Sequence, residues 1–276
     1  MLSTSSHTTG DANAVPGCMA MGKVSKQVWL AGVDGCPGGW IAAFVRPSGK
    51  ECEPRIFAQF ADILAAPEKP SIIAVDVPIG LPECGGRAAE NLVRPLLGQL
   101  YRSVFPMPSR RAVFAEVGPF ADQQQLHAAH QRACAIAAAT SNPPRRITIQ
   151  AFGIFPKIQE VDAVVRSDAA SRDRVYETHL ELAFRQINGE QALDEPKKVK
   201  GRPYAPGLAL RRQLLTRAGF PAAIIEAPPP HGAGPDDLLD ALACAFVARR
   251  ISSGHARPFP QPPERDQFGL PMAMWV

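Results

Sequence analysis

Two acidic residues follow apolar segments that have the length and composition of buried strands. Asp34 ends an apolar run that begins at Val28, and Asp76 directly follows the run 71–75. Glycine or proline comes within two residues of each acid, so the chain can turn there and a ligand can approach the backbone closely. A pair of carboxylates at strand ends in one globular protein indicates a shared acidic site.

Three further acids accompany these two. Glu177 follows a short predicted strand, whereas Asp237 and Asp240 lie near the start of an apolar helix predicted at 235–250. Asp236 is predicted to be the N-cap of that helix. Residues three apart share one face of a helix, so Asp237 and Asp240 point the same way. Asp240 stands among leucine, alanine and phenylalanine, where an unpaired charge is costly, and we therefore expect it to have a ligand or a partner.

A set of acids of this kind is suited to binding a hard divalent cation. Acids drawn from distant segments, without a cysteine or histidine set beside them, favour Mg²⁺ or Mn²⁺. The metal ligands predicted from the sequence are Asp34, Asp76, Asp237 and Asp240. Two such ions close together would position and activate water and stabilise the leaving oxygen in phosphodiester hydrolysis. Without a cation, packed carboxylates would raise one another's pKa.

Basic residues that could contact an anionic substrate lie in two places. Residues 196–202 form the densest basic cluster of the chain and include Lys198 and Arg202, and Lys157 lies in a predicted helix. We expect these three side chains to contact substrate phosphates, although a charged run of this kind is also typical of a solvated surface.

The elements that must position these residues alternate in a pattern typical of a mixed sheet. A hairpin over 28–45, a third strand at 52–60, a helix at 60–66 and a strand at 71–76 open the chain. A meander followed by a helix and another strand indicates an α/β fold with a mixed rather than an all-parallel sheet. The later predicted elements are helices at 87–97, 120–140, 148–165, 180–187 and 208–218, a strand at 174–176, a linker at 224–230 and an edge strand at 269–276.

Composition bounds the class of protein. A chain of 276 residues with 46% hydrophobic content can bury a sizeable core. Residues 1–26 lack a hydrophobic signal core and are rich in serine, threonine, glycine and alanine, which predicts a disordered leader before a folded part that begins at 27. No apolar run reaches the roughly 18 residues of a membrane span, so no membrane partner is expected.

Charge and cysteine content bear on the partners and the compartment. The formal net charge is +4, and the six cysteines lie far apart without a CxxC pair. A mildly basic chain without concentrated lysine and arginine stripes permits a nucleic-acid partner without requiring one. Scattered cysteines indicate neither a zinc site nor a disulfide framework, and free thiols fit a cytoplasmic location.

Seven ordered motifs give the chain a resemblance to a known family. The motifs are GVDGCPGGW, VDVPIGLP, SVFPMPSR, PKIQEVD, ETHLE, KKVKGR and DDLLDAL, and they span most of residues 28–276. With these motifs the chain resembles the uncharacterised family of predicted RNase H-like nucleases. The resemblance implies an α/β, RNase H-like mixed five-stranded sheet, its first three strands antiparallel, flanked by helices. It also implies a single domain over 27–276 with helical insertions.

The same resemblance implies roles for the acids. The residues that match the family's strand-end and C-terminal-helix acids are Asp34, Asp76, Asp237 and Asp240. Glu177 belongs to the ETHLE motif, in which leucine stands where proline is typical of the family. The sequence therefore leaves open whether Glu177 or Glu181 faces the site.

The leading hypothesis is a metal-dependent nuclease or phosphodiesterase that uses a carboxylate cluster and two divalent ions. Asp34 would bridge the ions, and Glu177 would orient the attacking water. Asp76 would bind one ion, and Asp237 or Asp240 would bind the other. The oligomeric state stays open, and a dimer would suit a symmetric nucleic-acid substrate.

Two other classes of protein stay open. An actin-like or sugar-kinase-type protein would share the sheet and would bind nucleotide phosphates at an Asp-Gly turn after the first strand, although the chain is short for two such domains. A non-catalytic binding protein on the same fold would need neither metal nor nucleotide. Mn²⁺ binding through Asp34 and Asp76 would separate the nuclease from both alternatives.

Overall fold

The computed structural model of the protein describes residues 28–276, so the predicted leader lies outside the described residues. A five-stranded mixed sheet with the strand order β3-β2-β1-β4-β5 forms its centre. The strands are β1 (Leu30–Cys36), β2 (Gly39–Val45), β3 (Cys52–Phe57), β4 (Ile72–Val75) and β5 (Val175–Glu177). The first three strands are antiparallel, whereas β4 is parallel to β1 and β5 is parallel to β4. The predicted mixed five-stranded sheet is confirmed.

Helices cover both faces of this sheet. They are α1 (Phe60–Leu64), α2 (Ala88–Val93), α3 (Arg110–Val113), α4 (Gln123–Ala139), α5 (Ile149–Gly153), α6 (Phe155–Ser167), α7 (Ala169–Arg172), α8 (Leu180–Ile187), α9 (Ala205–Arg217), α10 (Ala222–Ile225) and α11 (Pro235–Ser252). Helices α4, α5 and α6 contribute to a core on one face of the sheet, and α8, α9 and α11 contribute to a core on the other. None of the helices in this described part of the chain is long and apolar enough to span a membrane.

Two predicted helices differ from the structure at a proline or a glycine, and one predicted linker differs at its start. The single helix predicted over 148–165 is two helices, α5 and α6, because the chain breaks at Ile154 and restarts with Pro156 in the first turn of α6. The helix predicted at 87–97 is the shorter α2, followed by a 3-10 segment, Arg94–Ser103, in which Gly98 has a φ of 52°. The linker predicted at 224–230 is wrong at its start, since α10 extends to Ile225.

Two small hairpins lie outside the main sheet. Strands β6 (Lys198–Val199) and β7 (Arg202–Pro203) form one, and β8 (Pro258–Arg265) and β9 (Pro271–Trp275) form the other. The strand predicted at 269–276 is therefore present, but it pairs with β8 rather than with the edge of the five-stranded sheet. Proline lacks the backbone donor that a central strand needs, which suits the proline-rich β8 to a two-stranded hairpin.

Candidate functional site

Asp34 and Asp76 lie side by side on two parallel strands: Asp34 is near the carboxyl end of β1, two residues before Cys36, and Asp76 directly follows β4. The register of β1 and β4 pairs Val33 with Val75, and the backbone N–H of Asp76 donates to the Val33 carbonyl at 3.1 Å. Each acid directly follows this pair, so both occupy the same level of the sheet. Side chains alternate between the faces of a strand, and this register places both acids on the face that α11 covers.

Helix α11 reaches these acids because β1 has no side chain at the point of contact. A Cβ atom on Gly32 would stand 1.9 Å from the backbone nitrogen of Ala245 and 2.2 Å from the carbonyl oxygen of Ala241. Only glycine permits so close an approach of the helix backbone to the strand. Asp240 immediately precedes Ala241, so the contact that Gly32 allows brings the start of α11 beside Asp34.

The first turn of α11 differs from the sequence prediction. Gly234, not Asp236, is the N-cap residue, and the Asp237 carboxylate accepts a hydrogen bond from the Gly234 backbone N–H at 2.7 Å. Pro235 follows as the first helical residue, a position at which proline costs no hydrogen bond. The prediction of Asp236 as the N-cap is therefore wrong, and its carboxylate instead pairs with Lys198 at 2.6 Å.

The strand and the helix together assemble a buried group of three carboxylates. Oxygens of Asp34, Asp237 and Asp240 all lie within 4.8 Å of one another, and Asp240 is fully buried. We call this group the carboxylate cluster. Asp76 is not one of the acids that meet this 4.8 Å limit. Its charge nevertheless acts on Asp34.

A lysine that was not predicted enters the cluster. The Lys197 ammonium donates a hydrogen bond to Asp240 and lies 3.6 Å from an oxygen of Asp236. Burial alone would lower the pKa of Lys197, but Asp240 and Asp34 raise it above its usual value, so the side chain is cationic. Lys197 belongs to the basic segment 196–202 that the sequence singled out, yet nothing local distinguishes its inward direction from that of its neighbours.

Burial and mutual repulsion shift the pKa values of the acids upwards. Burial, and then the Asp240 carboxylate, raise the pKa of Asp34 well above its usual value, while Lys197 opposes the shift. Burial also raises the pKa of Asp240 to about 7, against the lowering effect of Lys197. Burial raises the pKa of Asp76 as well. Burial is the main cause of all three shifts, and the charge of Lys197 opposes each of them.

The carboxylate cluster fits a metal ion by its ligand type and spacing. Carboxylate oxygens are the ligands preferred by hard cations such as Mg²⁺ and Mn²⁺. A cation placed among Asp34, Asp237 and Asp240 would offset the repulsion that raises the Asp34 pKa. The cluster therefore has the composition and geometry of a site that could bind a metal ion.

The two glutamates that the sequence left as alternatives have separate partners. Glu177 is buried and binds Arg87 through both oxygens, and its Oε2 also accepts the Ile79 backbone N–H at 2.7 Å. Glu181 is buried and binds Arg211 with both oxygens, at 2.6 and 2.7 Å. Neither belongs to the carboxylate cluster. Because Glu177 pairs with Val75 across β4 and β5, its side chain leaves the sheet on the face opposite to that of Asp76.

The three predicted phosphate-contacting residues lie in different surroundings. Lys157 is half-buried, donates to the Gly39 carbonyl at 2.6 Å and lies 4.1 Å from the centroid of the Trp40 ring. Lys198 pairs with the Asp236 carboxylate and keeps 41% of its side chain exposed. Arg202 is exposed on the β6–β7 hairpin. Lys157 is thus held against the β1–β2 hairpin, and the structure brings the PKIQEVD motif into contact with GVDGCPGGW.

A cleft of about 240 Å³ opens beside Asp34 and Asp76. Its lining includes Glu177 and Lys157 but neither Glu181 nor the basic hairpin. The loop that carries the SVFPMPSR motif contributes apolar lining through Val104, Phe105 and Met107. Two further polar lining residues, Glu90 and His179, were not predicted as site residues, although His179 belongs to the ETHLE motif.

The fold and the site define a mixed α/β protein with a buried carboxylate cluster that could hold a metal ion. The family model described as "Protein of unknown function (DUF429)" matches residues 32–265, and the chain belongs to this family. The matched range includes the whole carboxylate cluster together with Lys197. No curated protein matches the chain, and no solved structure matches it.

Proposed function

We propose that the protein is a metal-dependent nuclease or related phosphodiesterase on an RNase H-like fold. The observation that carries this proposal is the carboxylate cluster of Asp34, Asp237 and Asp240, buried at the carboxyl end of β1 with a cleft beside it. Buried acids beside a cleft, with pKa values raised by burial and by one another, are candidates for a functional site. The strand order and the antiparallel start of the sheet agree with the fold that the motifs imply.

The cluster and its neighbour Asp76 would hold Mg²⁺ or Mn²⁺. Asp34 would be the shared ligand, because it belongs to the carboxylate cluster and also interacts electrostatically with Asp76. Asp237 or Asp240 would complete one ion site, and Asp76 would contribute to a second. Divalent ions in such a site supply Lewis-acid stabilisation of phosphate oxygens and activate water for in-line attack.

The remaining side chains would bind and position the substrate. Lys157 lines the cleft beside Asp34 and would contact a phosphate oxygen. Lys198 and Arg202, on the exposed hairpin, would contact phosphates farther along a nucleic acid. Glu177 binds Arg87 with both oxygens, so we assign it to holding the wall of the cleft, with orientation of the attacking water as its further predicted role.

The experiment that tests this function is cleavage in the presence of Mn²⁺. Purified protein is incubated with single-stranded DNA, duplex DNA, an RNA–DNA hybrid and a four-way junction, alongside Asp34→Asn and the control Asp62→Asn. Asp62 is an exposed acid in α1, outside the cluster. We expect cleavage of at least one substrate by the parent and by Asp62→Asn, and its loss in Asp34→Asn.

Calorimetric titration with Mn²⁺ accompanies the cleavage assay. The parent and Asp62→Asn should bind the ion, and Asp34→Asn should bind it at least about tenfold more weakly, because one of three carboxylate ligands is lost. Absence of both Mn²⁺ binding and cleavage in the parent would overturn the proposal. Mn²⁺ binding without cleavage of any phosphodiester substrate would leave a metal-binding protein without the proposed activity.

A further inference from the structure

The cleft beside the carboxylate cluster contains a buried acceptor that the fold leaves unsatisfied. Glu90 lines this cleft and is only 2% exposed. Its Oε1 accepts a hydrogen bond from Arg87 Nε at 2.9 Å, while its Oε2 is buried and accepts none from the residues that the structure describes. An unsatisfied buried carboxylate oxygen is costly, so a ligand that donates a hydrogen bond there gains affinity.

A second unsatisfied polar atom lies in the wall of the same cleft. His179 lines it, and its Nδ1 is buried without a hydrogen-bond partner among the described residues. Burial raises the pKa values of both Glu90 and Asp76, and His179 opposes both shifts, so the imidazole lies near each of these acids. Asp76, His179 and Glu90 thus form a polar part of the cleft lining, in which His179 acts on both acids.

Several other lining residues are apolar and suit a flat ring. Val104, Phe105, Met107 and Ile154 contribute hydrophobic surface, and Phe105 is half-buried. Aromatic and apolar side chains of this kind hold nucleobases by stacking, whichever base is present. At about 240 Å³ the cleft is smaller than typical sites for drug-sized ligands, which are roughly 300–1,000 Å³, so it fits one ring system.

We propose that this cleft binds a single guanine base of the substrate, with the Glu90 carboxylate accepting from adjacent N–H groups on the edge of that base. Guanine presents a ring N–H next to an amino group, and a carboxylate offers two oxygens with several acceptor positions. The terminal torsion of a glutamate is soft, so a small rotation turns Oε2 towards the ligand. In uracil the ring N–H lies between two carbonyl oxygens, which a carboxylate repels. Adenine and cytosine each present an amino group beside a ring nitrogen that accepts hydrogen bonds, so neither presents two adjacent donors.

This inference rests on the proposed function for its choice of a nucleic-acid base, and it places the base next to the cluster that would act on the phosphodiester. Enzymes that act on one nucleotide commonly read its base by edge hydrogen bonds and by stacking in a pocket. The cleft would thus give the protein a preference for guanine at the scissile nucleotide. The carboxylate cluster alone would give no preference for any base.

The test measures binding of the four nucleosides to the metal-free full chain by saturation-transfer NMR and by calorimetry. The probes are guanosine, adenosine, cytidine and uridine, and the variants are Glu90→Gln, Phe105→Ala and the control Glu83→Gln. Glu83 is an exposed acid in the loop that precedes α2, the helix that carries Glu90. We expect guanosine to bind the parent protein more tightly than the other three nucleosides do. Guanosine affinity should fall at least about tenfold in Glu90→Gln and should be unchanged in Glu83→Gln.

The outcomes separate this inference from the proposed function. Absence of saturable guanosine binding, preference for another nucleoside, or guanosine affinity unchanged in Glu90→Gln would each overturn it. If Glu90→Gln fails to fold, Phe105→Ala decides, because loss of the stacking surface should also weaken guanosine binding about tenfold. Mn²⁺-dependent cleavage without guanosine binding would refute the base pocket alone, whereas guanosine binding without Mn²⁺ binding or cleavage would refute the nuclease alone.

Discussion

Lys197 is a cation bound inside a group of acids that is also suited to a metal ion. Its ammonium donates to Asp240, a fully buried residue, while a quarter of the Lys197 side chain stays exposed. Removing one member of a buried ion pair leaves an uncompensated charge, which costs more than the pair itself contributes. A divalent cation bound by Asp34, Asp237 and Asp240 would therefore compete with Lys197 for the same negative charge.

The substitution Lys197→Met tests this competition. We expect the free energy of unfolding of the metal-free protein to fall by about 3 kcal/mol, because Asp240 loses its partner. Mn²⁺ should restore this loss and should bind about tenfold more tightly than to the parent, since the competing charge is gone. Urea unfolding with and without Mn²⁺, together with calorimetry, measures both effects.

The control for Lys197→Met is Lys200→Met, which removes an exposed lysine from the turn of the same basic hairpin. This variant should keep the parent's stability and its Mn²⁺ affinity. The competition is refuted by a Lys197→Met protein that is as stable as the parent without metal, or that binds Mn²⁺ more weakly.

The raised pKa of Asp240 predicts how metal affinity depends on pH. The folded-state pKa is about 7 against an ordinary value of 3.8, so below pH 7 an incoming ion must displace a proton. Mn²⁺ affinity should rise at least about tenfold per pH unit up to about pH 7, because the pKa of Asp34 is raised as well and this acid can also release a proton. Calorimetry between about pH 5.5 and 8 measures the slope, and Asp240→Asn should bind more weakly with a flatter pH dependence.

The same shift has a defined sign for the stability of the metal-free protein. Between the ordinary pKa of 3.8 and the folded-state pKa of about 7, the folded state binds more protons at Asp240 than the unfolded state. The contribution of Asp240 to stability is therefore fully present below about pH 4 and is lost as the pH rises through about 7. If the thermal stability of Asp240→Asn depends on pH in the same way as that of the parent over this range, the assignment of the raised pKa to Asp240 is contradicted.

The packing of α11 on β1 depends on Gly32. A Cβ there would clash with the helix backbone at Ala241 and Ala245, and backbone atoms move aside less readily than the end of a flexible side chain. The strand carries Asp34 and the helix carries Asp237 and Asp240, so displacement of one against the other opens the carboxylate cluster. Gly32 thus determines the site geometry without contacting a ligand.

The substitution Gly32→Ala should lower both stability and metal affinity. We expect a destabilisation of about 3 kcal/mol or more, at the upper end of the cost of overpacking. Any folded fraction should bind Mn²⁺ at least about tenfold more weakly, because the cluster oxygens move apart. Urea unfolding and calorimetry are the measurements.

Gly153→Ala is the matched control for Gly32→Ala in unfolding. A Cβ on Gly153 would meet no atom within 4 Å, and the residue ends the short helix α5. Alanine in a helix is slightly more favourable than glycine, so stability should be unchanged or a little higher. A Gly32→Ala protein as stable as this control would show that β1 and α11 can separate without cost.

Arg110 links parts of the molecule that lie far apart in sequence. Its guanidinium donates to Asp162 of α6 at 2.8 and 2.9 Å and to Asp266 after β8 at 2.7 Å. Asp266 in turn accepts the backbone N–H groups of Phe268, Leu270 and Leu81. The arginine of the SVFPMPSR motif therefore has a structural role, joining α6, the C-terminal hairpin and the loop after β4.

Arg110→Met should destabilise the whole protein. Two buried carboxylates, Asp162 and Asp266, would lose their main partner, and we expect a loss of about 3–5 kcal/mol in the free energy of unfolding. Urea unfolding measures it. The adjacent exposed Arg111, replaced by methionine, serves as the control and should change stability by less than about 0.5 kcal/mol. Equal losses in the two variants would show that the Arg110 ion pairs do not hold these segments together.

Local sequence patterns predicted the strands and helices that carry the acids. Apolar runs ended by glycine or proline marked β1, β2 and β4, and the apolar helix α11 was found with its two acids. These signals are local, because the periodicity of side chains and the turn residues are written within a few neighbouring positions. The predictions of one domain over 27–276, of a nucleic-acid partner and of a cytoplasmic location stay predictions.

The sequence by itself determined the order of the elements, the α/β class and the acids at the ends of β1 and β4. Only the tertiary structure decided that Asp34 meets Asp237 and Asp240, that Lys197 enters their group, and that Glu177 binds Arg87 on the other side of the sheet. The physical reason is that a side chain's face and partner depend on sheet register and on close helix packing. These connect residues that are distant in sequence, so no local pattern records them.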